Sequence, residues 1–168
     1  MSYYGFFDEI NHIVKQPIAF KSILVDPSKL NITSNFPEAK RHCASVTSAN
    51  IEEILDGNAC YPDHYKKIGN GPVISFNRKT KKIMKNLNYE SKFINKLDFI
   101  KNSIDQDKLV SLLLMRTPLD WHWILCIGYI EYEDKTIVLR IFDNWSNKIR
   151  YYIPNKGSKI ISATAYHK

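Results

Sequence analysis

The chain has 168 residues, the size of one domain, and at 44% apolar and 12% aromatic it can bury a sizeable core, which excludes intrinsic disorder. Seven prolines and six glycines are too few for a collagen-like or low-complexity chain, and the longest apolar runs, Leu112–Met115 and Trp123–Ile127, fall far short of a membrane span. Lysine and arginine outnumber the acids 24 to 17, giving a net charge of +7. Five of those bases crowd into Arg78–Lys85, where a helical pattern reads them as a solvated face. With no helix-turn-helix, zinc-finger or RNP-like pattern beside them, no nucleic-acid partner is expected.

The first residues, Met1-Ser-Tyr-Tyr-Gly-Phe-Phe-Asp-Glu, lack the basic start and apolar run of a signal peptide. An odd count of three cysteines (Cys43, Cys60, Cys126) argues against a disulfide framework. Together these features suit a cytoplasmic domain with no membrane association.

Taken in order, Phe6, Phe7, Ile10, Ile13 and Val14 have helical spacing, which predicts a helix over Phe6–Val14 ending before Gln16-Pro17. Ile18–Leu30 reads as extended or loop-like. Cys43–Leu55 is the next predicted helix, with Thr47, Ile51, Ile54 and Leu55 on one side and Asp56-Gly57 at its end. Gly57–Phe76 reads as a long loop, and Lys79–Leu87 and Phe93–Ile104 as amphipathic helices. Five strand candidates follow: Leu109–Met115, Trp121–Tyr132, Lys135–Phe142, Lys148–Ile153 and Lys159–Ala165. Their short joints make neighbours antiparallel, and helices followed by strands define a single α+β domain over residues 1–168.

Cys43 opens its helix and is followed by Ala-Ser-Val-Thr-Ser-Ala. Unpaired N–H groups at a helix start favour an anion, so a cysteine there is expected to hold a depressed pKa. The small residues behind it suit a helix packed closely on its neighbours. A buried structural cysteine is the competing reading.

A nucleophilic cysteine needs a base, and the base an orienting group. His122 begins the longest strand, and Asp143 ends the next. If Glu133-Asp134 form a two-residue turn, Tyr132 faces Lys135, Ile124 lies opposite Asp143, and His122 lies opposite Trp145. Period-2 alternation then sends His122, Ile124, Asp143 and Trp145 to one face and Asn144 to the other. A bulge or an odd-length loop would reverse that assignment.

Three segments in this order, Cys43-Ala-Ser-Val-Thr-Ser-Ala-Asn, His122-Trp-Ile-Leu-Cys-Ile-Gly-Tyr and Asp143-Asn-Trp, resemble the papain-like cysteine peptidases. The match is to the C39-like group of compact bacterial members, whose pattern runs Cys-small residues, His-Trp-Val-Val-Val-Gly-Tyr, Asp-Pro-Trp. The likeness spans roughly Asn35 to Tyr166. It implies a papain-like α+β fold, with the nucleophile helix packed against a C-terminal antiparallel sheet of about five strands. It implies Cys43 as nucleophile, His122 as general base and acid, and Asp143 as the orienting group.

The group's usual glutamine before the cysteine is absent. The nearest amide is Asn35, eight residues upstream, which becomes the candidate oxyanion donor. The frequent Cys-Gly is Cys-Ala here.

The activity so implied is hydrolysis of a peptide or related acyl bond through an acyl-enzyme, on a peptide, protein or acyl-carrying substrate, with no cofactor or metal. The alternatives are a papain-fold acyltransferase, since His42-Cys43 resembles the start of butirosin-type relatives, and an inactive peptide- or protein-binding module. A zinc site from His42, Cys43, Cys60 and His64 lacks a compact paired motif. Cys126, inside an apolar strand, reads as a core thiol, and His12 and His167 have no partner in the sequence.

Overall fold

The computed structural model describes residues 4–11, 13, 15–30, 42–71 and 73–168. Among these residues β1 (Phe6–Phe7) and β2 (Pro17–Ser22) precede a 3-10 turn at Pro27–Leu30 and three helices, α1 (Cys43–Asp56), α2 (Tyr61–Ile68) and α3 (Phe76–Ile83). Next come β3 (Asn88–Lys92), α4 (Lys96–Asp105), β4 (Leu109–Thr117), β5 (Asp120–Tyr132), β6 (Ile137–Phe142), β7 (Arg150–Tyr152) and β8 (Lys159–His167).

All strands join one antiparallel sheet in the order β1-β7-β6-β5-β4-β8-β3. β4 to β7 form the expected meander, whereas β8 crosses over to pair with β4. The thirteen-residue β5 is long enough to pair with β4 through Asp120–Cys126 and with β2 through Gly128–Tyr132. At that second contact, a Cβ on Gly128 would stand 2.6 Å from the Lys21 carbonyl, so the close approach of β2 needs glycine.

The sheet therefore has eight strands, and the five expected ones are its second half. β1, β2 and β3 are the additions. A helix over Phe6–Val14 does not form, because its apolar residues serve two places. Phe6 pairs with Tyr152 and is fully buried in one core, while Phe7, Ile10 and Ile13 pack on another around Ile130 and Val138. Within the expected loop Gly57–Phe76 lies α2, with Pro62 in its first turn and Gly69 at its end.

Two layers of helix enclose the sheet. On one face Ile100 and Ile104 of α4 pack with Leu112, Leu114, Ile124, Cys126 and Ile141. On the other, Ala44 and Ile51 of α1, Ile68 of α2 and Phe76 of α3 pack with Trp123, Leu125, Ile127 and Phe142. Burying both faces explains why β4 and β5 read as near-continuous apolar runs. Alternation along β5 assigns each of its side chains to one layer. Before the bulge at Cys126–Gly128, even-numbered residues face α4 and odd-numbered ones face α1; beyond it Tyr129 faces α4, its hydroxyl donating to Asp105.

Candidate active site

Cys43 is the first residue of α1, and the helix ends where expected, on Gly57 at φ 70°. Ala44, Ser45, Val46, Thr47, Ser48 and Ala49 are all buried. The small residues let α1 lie between the sheet and α2, where the Ser45 hydroxyl donates to the Gly69 carbonyl at 2.7 Å. The backbone N–H groups of Trp123, Ala44 and Cys43 itself lie close to the partly buried Cys43 sulfur and favour the thiolate. Burial outweighs them and pushes the thiol up, against the depressed value expected from the helix start alone.

His122 lies on the face expected for it, with Ile124 and Trp145. It pairs with Leu114 across β4 and shares that residue's face, the α4 side. Its ring stacks on Trp145 at 4.3 Å and 14°, with Tyr4 at 5.2 Å and Phe6 beyond. At 4% exposure the imidazole is desolvated, and burial lowers its pKa to about 4 against the pull of Asp143 and Asp120. No hydrogen bond or ring contact joins Cys43 to His122. They lie on opposite faces of β5.

Asp143 does meet the imidazole, but through its main chain. The neutral ring's Nε2–H donates to the Asp143 carbonyl at 2.7 Å, leaving Nδ1 as the basic nitrogen. The fully buried carboxylate is occupied elsewhere. It accepts from the backbone N–H of Trp145 (3.0 Å) and Ser146 (3.2 Å) and from the Arg150 guanidinium at 2.6 Å. Arg150 in turn pairs with Asp8 at 2.8 Å.

The hairpin between β5 and β6 explains the arrangement. Its loop has three residues, with Lys135 at φ 67° and Tyr132 facing Thr136, not the expected two-residue turn. A bulge between Cys126 and Gly128 then shifts the register by one. The two departures cancel, so Leu125 meets Phe142 and the end of the hairpin has the register first expected. His122 and Trp145 accordingly meet.

Asn144 points to the other face, at φ 65°, and there it reaches α1. Its Nδ2 donates to the Trp123 carbonyl and the Thr47 hydroxyl, both at 2.7 Å, and to the Cys43 carbonyl at 3.3 Å. Asn50 donates from its own Nδ2 to Asn144 Oδ1 at 3.3 Å. Sequence reasoning placed Asn144 correctly on the face away from His122. It passed over the consequence, that the face holding α1 is the face of Cys43.

Asn35 lies outside the described residues. His42 and His64 are engaged locally. His42 Nδ1 is hydrogen-bonded to the Tyr61 hydroxyl. His64 is fully buried between the Ser48 hydroxyl (2.8 Å) and the Glu52 carboxylate (2.6 Å), so both ring nitrogens are taken. Cys126 is fully buried, its thiol pushed up to about 12. Among the described residues, no helix is long and apolar enough to cross a membrane.

The chain matches no protein-family model and no curated protein. It is similar in structure to a crystal structure from Bacillus anthracis described as a "putative C39-like peptidase", with a TM-score of 0.60 and 16% identity over 88% of this chain and 98% of that one. That likeness is one of fold. The chain shares the overall fold of that C39-like protein, helices packed against an antiparallel sheet.

Proposed function

We propose that the chain is a cysteine hydrolase acting on a peptide or related acyl bond, with Cys43 as nucleophile, His122 as general base and acid, and Asp143 as its positioning residue. The observation that supports this reading is the setting of the Cys43 sulfur. It stands at the first turn of α1 beside the backbone N–H groups of Trp123 and Ala44, in a fold shared with a C39-like protein. Amides that solvate a thiolate also suit the oxygen of a tetrahedral intermediate.

The resting arrangement is one step short of a dyad. Pairing of β5 with β6 stops at Leu125 and Phe142, so the β6-side edge of β5 beside His122 is free of that strand. Turnover requires the imidazole to leave its stack on Trp145 and come round that edge to the thiol. Its low pKa keeps it neutral, the form that can accept the thiol proton. The thiolate adds to the carbonyl, and the imidazolium protonates the departing amine as the C–N bond breaks. Water, deprotonated by His122, then cleaves the thioester to the acid and restores the thiol. An amine acceptor in place of water gives the acyltransferase. A thioester donor needs less of His122, because its thiolate leaves without a proton.

That no hydrogen bond joins Cys43 to His122 favours a second reading, an inactive peptide- or protein-binding module. Iodoacetamide labelling at pH 6–7, mapped by peptide, distinguishes them. A hydrolase modifies at Cys43 ahead of the exposed Cys60 and slows on His122→Ala. Labelling of Cys60 first, with no acyl-enzyme trapped from either peptide or thioester donors, overturns the catalytic reading in favour of the module.

A further inference from the structure

Among the described residues β1, β2 and β3 each have a strand neighbour on one side only. β1 is two residues long, and β2 begins at Pro17 with a bulge before Ala19, features that blunt an edge. β3 has neither. Its five residues pair with β8 without a break in register, from Asn88 opposite His167 to Lys92 opposite Ala163. A regular open edge of this kind is a template for another strand.

The side chains of β3 select that strand. On one face Ser91 accepts from Asn77 of α3 at 3.1 Å, and the Tyr89 ring lies 6.5 Å from that of Tyr166. On the other, Asn88, Glu90 and Lys92 are exposed, and Lys92 pairs with Glu90 at 3.1 Å. Phe93 and Ile94 follow directly, 66% and 76% exposed, so apolar surface gathers at the same edge.

A second copy of the chain can add its own β3 about a two-fold axis perpendicular to the sheet. That symmetry makes the two strands antiparallel and keeps each face continuous, so even-numbered residues meet even-numbered ones. Centred on Glu90, the pairing sets Glu90 against itself; centred on Lys92, it sets Lys92 against itself. Centred on Ser91, it sets Glu90 opposite Lys92 twice and brings Tyr89 alongside Phe93. We propose that the protein dimerises through β3 in this last register, joining two sheets into one. The contact is small, so the dimer is weak, and the exposed charges choose its register more than they hold it together. Neither Cys43 nor His122 takes part, and the proposal does not rest on the hydrolase reading.

Sedimentation equilibrium over about 10–500 µM protein should show a monomer–dimer equilibrium with a Kd of about 10–100 µM. Glu90→Lys and Lys92→Glu each put like charges opposite one another and should each weaken self-association at least about 10-fold. Mixed together, the two variants are complementary, and the mixture should dimerise as the wild type does. In the wild type, rising protein concentration should slow amide exchange in β3 and leave β2 unchanged. If either variant fails to fold, that concentration dependence decides. A wild type monomeric throughout the range, a dimer indifferent to both substitutions, or no recovery on mixing would overturn the proposal.

Discussion

Asn144 joins β5, the β6 terminus and α1 through one side chain. Its amide serves the Trp123 carbonyl, the Thr47 hydroxyl and the Cys43 carbonyl, and its oxygen accepts from Asn50. It also holds the left-handed backbone, at φ 65°, that asparagine tolerates better than most residues. Asn144→Ala removes both advantages and should cost about 2–4 kcal/mol in urea unfolding, while Asn144→Gly relieves the backbone part and should lose about 1 kcal/mol less. Equal stability of wild type and the alanine variant would mean that water replaces all of these bonds. The sequence made the two faces of the hairpin end legible through period-2 alternation alone. It could not show which face α1 covers, because that depends on how the helix layers fold onto the sheet. The buried ion pair of Asp143 with Arg150 was equally hidden, seven residues apart across an irregular loop.

At the scale of elements, strong local patterns were readable and shared ones were not. α1 stands within one residue of its expected span because its apolar spacing, its small residues and its Asp-Gly stop agree. α2 escaped notice because eight residues with few apolar positions resemble a polar loop, although Pro62 and Gly69 bracket it. What ties α2 to α1 is chiefly tertiary. His64 sits between Ser48 and Glu52, one turn apart on α1, and Tyr61 packs on Val46 and Ala49. His64→Ala leaves a hole and strands two polar partners, so a loss of about 2–4 kcal/mol is expected. Amide hydrogen exchange should show α2 opening before the sheet does. Unchanged protection of α2 in the variant would assign the docking to Tyr61 instead.

For the molecule as a whole, the buried histidines tie folding to acid. His122, His64 and His42 all have lowered pKa values, each chiefly through burial. A group whose folded pKa lies below its unfolded value takes up its proton first in the unfolded state. Stability is then complete above the unfolded value and is lost as pH falls toward the folded one. For His122 that window runs from 6.5 down to about 4, which corresponds to about 3 kcal/mol in all, and to about 2–3 kcal/mol between pH 7 and 4.5. Asp134, whose carboxylate is held down to about 2 by Lys15 and Thr136, titrates below this range and does not confuse it. Urea unfolding at pH 7 and 4.5 should therefore show a marked fall, and His122→Gln, which can still donate to the Asp143 carbonyl, should remove His122's share while leaving those of His64 and His42. A His122 that titrates near 6.5 in the folded protein, with no such share to remove, would contradict its burial beneath Trp145. It would place the imidazole in contact with solvent, as a dyad already formed on the Cys43 face requires.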